Sequence, residues 1–234
     1  SHGHYLAKGG SIASMLAELY GKSTGCTGGK GGSMHLVDLS CGYLGATPIV
    51  GSTIAIAVGA AYGSMMRDEQ RVTVVYFGDG ATEEGIFHES LNFAVLKNLS
   101  IVFVCENNLY SVYSPLSVRQ PDVRDIRELA AAHGVDSRQG DGNDVREVYE
   151  LAGRAITRAR KGDGPSFLEF KTYRWLEHCG PNYDNDIGYR TESEFLEWEK
   201  RDPLASFERL MINDDILDSI SIEEMRDDLC VQID

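Results

Sequence analysis

Phe77-Gly78-Asp79-Gly80-Ala81 is the stretch of sequence on which the predicted fold depends. A β-branched run from Arg71 to Phe77 leads into it and a helical pattern begins at Glu84, which predicts a strand that ends in a tight glycine turn. A second apolar run, Ser100 to Cys105, ends in Glu106-Asn107-Asn108. Neighbouring parallel strands would therefore bring an aspartate and an asparagine to the same edge of a sheet.

Strands and helices alternate along most of the remaining sequence. Helical patterns occur at 12–20, 52–66, 84–99, 126–133, 145–160, 191–200, 203–211 and 222–229, strand patterns at 71–77, 101–105, 135–140 and 166–173, and loop compositions at 1–10, 107–123 and 175–190. This order predicts an α/β fold with a doubly wound, mostly parallel sheet and helices on both faces. Thr191 and Ser221, each with a glutamate three residues later, are candidate N-caps.

Length and composition favour one domain and exclude several classes of partner. We expect a single domain over 1–234, with the sheet core and its loops in about 1–190 and an incomplete helical extension in 191–234. The net charge of −14, from 36 acidic and 22 basic residues, argues against binding nucleic acid or an anionic membrane. A buried anionic cofactor stays compatible with this charge, provided that a local cation accompanies it.

Cysteine usage and hydropathy indicate the kind of compartment. The five cysteines are scattered, odd in number and form no CxxC pair, which is typical of a reducing compartment. No apolar run approaches the roughly 20 residues that a membrane span requires. The chain begins at Ser1 without a methionine, so a lost leader stays open at this point.

Two further segments suggest close packing. Eight glycines lie between Gly21 and Gly45, which predicts either a flexible loop or a backbone that lies against a ligand. The segment from Ser52 to Met66 is small and apolar nearly all round a helix, so we expect it to be buried between layers. A helix of this kind also predicts an oligomer, because so apolar a surface needs covering from several sides.

The turn at Gly78-Asp79-Gly80 has the chemistry of a metal–diphosphate site. Glycines let a diphosphate approach the backbone amides, and the following helix presents its positive end to the same anion. Mg²⁺ prefers oxygen ligands, here the carboxylate of Asp79, the amide of Asn108 and one backbone carbonyl. Gly-Asp-Gly recurs at 140–142 and 162–164, but only the first copy follows an apolar run, precedes a helix and is followed after 26 residues by Asn-Asn.

These motifs, with their flanks, resemble the alpha subunit of thiamine-diphosphate-dependent 2-oxo acid or acetoin dehydrogenases, the pyruvate dehydrogenase alpha type. The segments that carry the resemblance are HGHYLAKGG (2–10), GGKGGSMH (28–35), GYLGATPIVG (42–51), FGDGATEEGIFHESLNFA (77–94), VCENNLY (104–110), TYRW (172–175) and YRT (189–191). The similarity covers nearly the whole chain. It implies the thiamine-diphosphate-binding fold, thiamine diphosphate and Mg²⁺ as cofactors, and a protein truncated at both ends.

The resemblance also implies roles for individual residues in cofactor binding. Asp79, Asn108 and the backbone carbonyl of Tyr110 match the residues that bind Mg²⁺, and Gly80 and Ala81 match those that meet the diphosphate. These five positions bind the cofactor in the family pattern.

Four more residues match family positions around the cofactor. The backbone at Gly42 and Leu44 matches the segment that holds the aminopyrimidine ring. His2 matches a histidine near the diphosphate and thiazolium, and His178 a loop histidine that handles protons during acyl transfer to lipoyl. Histidine suits such work because it titrates near neutrality.

In this family the cofactor lies between an alpha and a beta chain, and the glutamate that activates the aminopyrimidine comes from the beta chain. The resemblance therefore implies a heterotetramer with a beta subunit, a small 2-oxo substrate and a lipoylated acyltransferase as acceptor. It implies a bacterial-type cytoplasmic location, with the mitochondrial matrix as the alternative because the N-terminus is missing.

Three departures from the family pattern leave alternatives open. A tyrosine–arginine pair that meets the diphosphate would lie before Ser1, which predicts weaker cofactor affinity. Thr82-Glu83-Glu84 replaces an asparagine–glutamine pair, and this added negative charge would disfavour an anionic substrate. The loop Trp175–Pro181 replaces a glycine-histidine-serine pattern, with Cys179 at the position of a serine that some relatives phosphorylate.

The altered loop motivates a second hypothesis. Its polar residues, Asn182, Asp184, Asn185 and Asp186, would also suit a lyase or ketol transferase acting on a sugar-like 2-oxo substrate without lipoyl. A third hypothesis is a non-catalytic assembly subunit that keeps the fold.

Overall fold

A computed structural model describes residues 2–233 of the chain. These residues form two compact units, one made of residues 54–223 and the other of residues 2–53 with 224–233. In chain order the elements are α1 (His2–Ala7), α2 (Ile12–Leu19), α3 (Ser52–Met66), β1 (Thr73–Gly78), α4 (Gly85–Leu96), β2 (Ile101–Asn107), β3 (Tyr110–Ser111), β4 (Ser114–Pro115), α5 (Leu116–Arg119), α6 (Ile126–Ala131), β5 (Asp136–Asp141), α7 (Val145–Arg160), β6 (Ser166–Lys171), α8 (Glu192–Glu199), α9 (Pro203–Asn213) and α10 (Ser219–Ile233). Organisation as a single domain stays a prediction.

A parallel sheet forms the centre of the larger unit. Its strands lie in the order β1-β2-β6-β5, and all three pairings are parallel. β2 and β6 are almost wholly buried, because parallel strands in the middle of a sheet are covered on both faces. This confirms the predicted α/β class and the mostly parallel sheet.

Helices cover both faces of the sheet. On one face, Phe77, Phe103 and Phe167 of the strands pack with buried residues of α3, α4 and α6 in one core cluster. On the other face, Val102, Leu168 and neighbouring strand residues pack against the apolar side of α7. The predicted helix 145–160 matches α7, where Asp144 caps the helix by accepting the backbone N–H groups of residues 146 and 147.

Three loop or cap predictions were wrong. Residues 2–7, predicted as loop, form α1, and the predicted loop 107–123 contains a two-stranded hairpin and the short helix α5. The last helix begins at Ser219 and not after Ser221, because Asp218 Oδ1 accepts the backbone N–H of Ser221 at 2.8 Å. Thr191 does cap α8, since its Oγ1 accepts the N–H of Glu194 at 3.2 Å.

The apolar helix α3 is buried on one side only. Ile54, Val58 and Ala61 join the core, whereas Ile56 and Met66 on another side are 61% and 67% exposed. Burial of the other sides of α3 in an assembly stays a prediction. An apolar helix face with small residues at Gly59 and Ala60 is open in this chain.

The glycine-rich segment of the smaller unit wraps around a single carboxylate. Glu18, on α2, is fully buried and accepts backbone N–H groups from Thr27, Gly29 and Gly31 at 2.6–2.8 Å, with Gly32 at 3.2 Å. A Cβ at Gly25 would lie 2.4 Å from Glu18 Oε2, so a larger residue does not fit there. Residues 27–32 of the loop thus wrap a carboxylate, and a backbone that lies against a ligand elsewhere in the segment stays a prediction.

Burial alone would raise the pKa of Glu18. The hydrogen bonds from Thr27 and the loop amides favour the charged form and outweigh burial, so the pKa is lowered to about 2. No helix within residues 2–233 is long and apolar enough to cross a membrane.

Candidate functional site

The carboxyl ends of β1 and β2 bring the predicted aspartate and asparagine to one edge of the sheet. Gly78, the last residue of β1, pairs with Glu106, so Asp79 lies one residue beyond that pairing on one strand and Asn108 two residues beyond it on the other. Asp79 begins a 3-10 helix, Asp79–Glu83, and its side chain is 1% exposed. Its Oδ1 has no hydrogen-bond partner within the described residues.

A buried carboxylate oxygen without a partner is unusual, because desolvation of a charged group is costly. The backbone around Asp79 is nevertheless well fixed. Thr82 Oγ1 donates to the Asp79 carbonyl at 2.7 Å and is itself buried. The free oxygen therefore belongs to a rigid turn and marks a place for a cation or a hydrogen-bond donor.

Gly80 lies directly against the hairpin that follows β2. A Cβ at Gly80 would be 2.8 Å from Ser111 Oγ and 3.1 Å from Ser111 Cβ. Glycine is therefore required here by close approach between the 3-10 helix and β3. The contact places the backbone at Gly80 and Ala81 beside the segment that carries Asn108 and Tyr110.

The two asparagines at the end of β2 have different roles. Asn107 is buried; its amide donates to Glu169 at 2.8 Å and its Oδ1 accepts the N–H of Leu109. Asn108 is partly exposed and its Oδ1 accepts the N–H of Tyr110 at 3.0 Å. Leu109 between them has φ of +69°, a conformation that side chains other than glycine, Asn and Asp seldom adopt.

Arg119 ties the end of the hairpin segment back to Asp79. Its Nη2 forms an ion pair with Asp79 Oδ2, its Nη1 pairs with Glu83 Oε1, and its Nε donates to the carbonyl of Ser114 at 3.1 Å. The side chain is only 11% exposed. The negative charge of Glu83, which sequence reasoning placed at the mouth of the site, is thus paired with a cation.

Tyr110 is anchored through its ring and its hydroxyl. The hydroxyl donates to the carboxylate of Glu194 on α8 at 2.7 Å, and the ring packs edge-on against Tyr189 at 5.2 Å. Burial, followed by the Glu194 contact, raises the pKa of Tyr110. The hydroxyl of Tyr110 is therefore engaged by Glu194 and is not available to a ligand.

The loop between β6 and α8 is organised around Asp184. This buried carboxylate pairs with Arg190, lies 3.6 Å from Arg174, and accepts the Tyr189 hydroxyl at 2.8 Å. Asn182 donates to Glu177 at 2.9 Å. Asp184 and Asn182 therefore hold the loop together, which removes two of the polar groups that the sugar-like substrate hypothesis needed.

His178 lies on an exposed part of the same loop, next to the exposed thiol of Cys179. Within residues 2–233, no hydrogen bond or ring contact links His178 to Asp79 or Asn108. Within residues 54–223 the structure brings Asp79, Gly80, Ala81, Asn108 and Tyr110 to one edge of the sheet.

The remaining predicted residues belong to the smaller unit. His2 is exposed on α1. Gly42 has φ of +78° in the turn that joins Asp38 and Tyr43, which exchange two backbone hydrogen bonds at 2.9 and 2.8 Å. Leu44 follows the turn and is 52% exposed.

Gly162-Asp163-Gly164 lies in a turn, as expected from its glycines, whereas Gly140 and Asp141 are the last residues of β5 and only Gly142 begins a turn. Asp141 accepts the N–H of Asn143 at 2.9 Å and pairs with Arg201, and Asp163 is an exposed residue after α7. Arg119 and Glu18 were missed by sequence reasoning. A signal existed for Arg119, because it is the first charged residue after Glu106 and thus the nearest downstream cation to the Asn-Asn motif.

Comparison with known proteins identifies the family of this chain. The family model of the dehydrogenase E1 component matches residues 1–234. The alpha subunit of acetoin:2,6-dichlorophenolindophenol oxidoreductase from Bacillus subtilis is 40% identical over 227 residues, covering 96% of this chain and 67% of that protein. The pyruvate dehydrogenase E1 component subunit alpha of Porphyra purpurea is 35% identical over 240 residues, covering 100% and 69%.

The chain thus spans about two thirds of the length of these curated relatives. Among solved structures, benzoylformate decarboxylase from Polynucleobacter necessarius is similar over 56% of this chain and 25% of that one, with 20% identity and a TM-score of 0.43, too distant to bear on the site. The match of the family model over the whole chain, with two relatives at 35–40% identity, assigns the family. The chain belongs to the dehydrogenase E1 component family of thiamine-diphosphate-dependent oxidoreductases.

Proposed function

We propose that this chain is the alpha subunit of a thiamine-diphosphate- and Mg²⁺-dependent dehydrogenase for a pyruvate-like 2-oxo acid or acetoin. Its reaction is cleavage of a C–C bond next to a carbonyl, with passage of the acyl group to a lipoyl carrier. The observation that carries the proposal is the buried, unpartnered Oδ1 of Asp79 at the end of β1, beside the turn that presents Asn108 and Tyr110.

The oxygen atoms at this edge suit Mg²⁺. Asp79 Oδ1 is available, Asn108 offers an amide oxygen with a second lone pair, and the carbonyl of Tyr110 is the third ligand of the proposal. Within residues 2–233 no three His, Cys, Asp or Glu side chains cluster around a metal position. One carboxylate is a weak site for a bare divalent ion, so phosphate oxygens of the cofactor would complete the shell.

The glycine turn suits a diphosphate. Gly80 has no side chain between its backbone and β3, so the amides of Gly80 and Ala81 would bind the diphosphate oxygens. Bound thiamine diphosphate supplies the carbanion chemistry that cleaves the C–C bond. Asp79, Asn108 and the carbonyl of Tyr110 would orient the cofactor through the metal, and the backbone of Gly42 and Leu44 is proposed to hold the aminopyrimidine.

His2 and His178 are proposed to act on protons. His178 is exposed on the loop held by Asp184, where an imidazole exchanges protons with a carrier arriving from solvent. His2 is proposed to lie near the diphosphate and thiazolium.

The partner is proposed to be a beta subunit, in a heterotetramer, with a lipoylated acyltransferase as acceptor. The open face of α3, with Ile56 and Met66 exposed, supports a protein partner because an apolar face of this kind is normally covered. All five cysteines are free, which fits the reducing bacterial cytoplasm that forms part of the proposal.

Substitution of Asp79 tests the proposal. In the protein purified with its partner, Asp79→Ala should abolish Mg²⁺-dependent binding of thiamine diphosphate in calorimetry and turnover of a panel containing acetoin and pyruvate. Asp163→Ala, in an exposed Gly-Asp-Gly turn, is the matched control and should leave both unchanged.

Normal cofactor binding in Asp79→Ala would contradict the proposal. Wild-type protein that binds no thiamine diphosphate in its assembly would instead indicate a non-catalytic subunit. Product analysis with and without a lipoylated acceptor distinguishes a dehydrogenase from a lyase or ketol transferase.

A further inference from the structure

Arg119 forms an ion pair with Asp79, the side chain that would ligate the proposed metal. It pairs with Asp79 Oδ2 and Glu83 Oε1 at once, and its Nε is fixed by the carbonyl of Ser114 at 3.1 Å. Gln120, the next residue, also donates to Glu83 Oε1 at 3.0 Å. The guanidinium is therefore held from three sides and is not a freely moving surface cation.

The charges of this cluster place Arg119 in competition with a metal. Asp79, Glu83 and Arg119 together carry a net charge of −1. The one positive charge, on Arg119, is in direct contact with Asp79. A divalent cation at Asp79 Oδ1 would lie within a few ångströms of the guanidinium and be repelled by it. Asp79 is 1% exposed, so water screens this repulsion weakly.

A diphosphate changes that balance. It brings several negative charges to the backbone at Gly80, and a Cβ placed at Gly80 would lie only 3.6 Å from Arg119 Nη1. A bound diphosphate would therefore attract both the metal and the guanidinium. Glu83, which pairs with Arg119 Nη1, would keep Arg119 at the site while the metal binds Asp79 Oδ1.

We propose that Arg119 is a positioning residue that neutralises Asp79 in place of the metal. Binding of the divalent cation thereby comes to depend on binding of the diphosphate. In the cofactor-free protein Arg119 neutralises Asp79 and suppresses binding of the cation alone. When the diphosphate is present, Arg119 turns toward its oxygens and releases Asp79 to the cation. This inference rests on the proposed function, because it assumes a metal–diphosphate ligand at the Asp79 edge.

The test measures binding of Mn²⁺, as a substitute for Mg²⁺, and of thiamine diphosphate, each alone and both together, to the protein purified with its partner. Electron paramagnetic resonance counts free Mn²⁺, and calorimetry measures the cofactor. In wild type we expect each ligand to tighten the other by at least about tenfold. In Arg119→Gln, Mn²⁺ alone should bind at least about tenfold more tightly and the mutual enhancement should fall by a similar factor.

Two further variants keep the test decisive. Glu83→Gln leaves Arg119 in place with one negative charge fewer, so Mn²⁺ alone should bind more weakly than in wild type, opposite to Arg119→Gln. Arg124→Gln removes an equal charge from an exposed position and should leave Mn²⁺ binding unchanged. Circular dichroism spectra and melting temperatures establish that each variant is folded.

The outcomes separate this inference from the proposed function. Suppose that wild type binds both ligands together and that Arg119→Gln has the same Mn²⁺ affinity and the same mutual enhancement. This result would overturn the inference and leave the proposed function standing. If Arg119→Gln fails to fold, an unchanged or tighter Mn²⁺ affinity in Glu83→Gln overturns it. Wild type that binds neither ligand in any combination would overturn both.

Discussion

Glu18 and Asp79 are both buried carboxylates, but they differ in the partners of their oxygen atoms. Both oxygens of Glu18 accept backbone N–H groups from the glycine-rich loop. Asp79 has one oxygen paired with Arg119 and one without a partner among residues 2–233. We interpret Glu18 as a residue that fixes the backbone of its loop and Asp79 as one that keeps binding capacity for a ligand.

Substitution of Glu18 should destabilise the protein in a pH-dependent way. In Glu18→Gln the amide NH₂ would face N–H donors, so we expect a lower melting temperature at neutral pH. The pKa of Glu18 is lowered from 4.5 to about 2, so its stabilisation is fully present above pH 4.5 and is lost as the pH falls toward 2.

Melting temperatures measured by circular dichroism from neutral pH down to about pH 3 would test this prediction. The difference between wild type and Glu18→Gln should be largest at neutral pH and shrink below pH 4.5. Glu199→Gln, at an exposed position on α8, is the control. A constant difference at every pH would contradict the assigned role of Glu18.

The elements that sequence patterns predicted best are those with a strong period and a buried face. α7 matches its predicted bounds, and the ends of β1 and β2 differ from theirs by at most two residues. The hairpin β3–β4 and the helix α5 were missed because they are two to four residues long. They depend on contacts with distant residues, such as the hydrogen bond from Arg174 to the carbonyl of Val112, which no local pattern reveals.

The contact between α4 and the end of α6 contains a histidine pair that should make stability depend on pH. His88 Nδ1 lies 3.0 Å from His133 Nε2, a distance at which one ring donates to the other. Burial, and then the charge of His88, lowers the pKa of His133 below 6.5. The unfolded state therefore binds more protons than the folded state, and stability should fall as the pH drops below about 6.5.

Replacing His133 should remove that dependence. We expect the melting temperature of wild type to fall between about pH 7.5 and pH 5.5, and that of His133→Gln to fall less. His35→Gln, at an exposed histidine outside the pair, should behave as wild type does. Equal slopes for wild type and His133→Gln would show that the pair does not contribute.

Over the whole molecule, sequence reasoning predicted the fold class, the family and the edge of the sheet that carries Asp79 and Asn108. The sheet edge depends on motifs within one strand–helix–strand unit, whereas the fold class and the family depend on patterns along nearly the whole chain. Sequence reasoning missed the ion pair between Arg119 and Asp79, which are 40 residues apart. The two side chains belong to separate turns, and only the folded chain brings them together. Sequence reasoning also did not predict which sides of α3 this chain covers, since a sequence shows that a helix is apolar but not which chain covers it.

The open face of α3 should be needed for assembly. Ile56 is 61% exposed, and a charge there would be desolvated by any partner that covers this face. We expect Ile56→Asp to reduce recovery of the partner subunit in co-purification and to lower the mass of the assembly in light scattering.

Tyr149→Asp provides the matched control, because Tyr149 is 79% exposed on α7. Full recovery of the partner with Ile56→Asp, or an equal loss with Tyr149→Asp, would argue against α3 as the interface.

The most direct test of the metal–diphosphate site is a crystal structure of the protein grown with its partner, thiamine diphosphate and Mn²⁺. Anomalous scattering locates Mn²⁺ without reference to the protein. We predict a peak about 2.1–2.2 Å from a carboxylate oxygen of Asp79 and from Asn108 Oδ1, with diphosphate density against Gly80. Mn²⁺ or diphosphate bound elsewhere, with Asp79 still paired to Arg119, would contradict the proposed site.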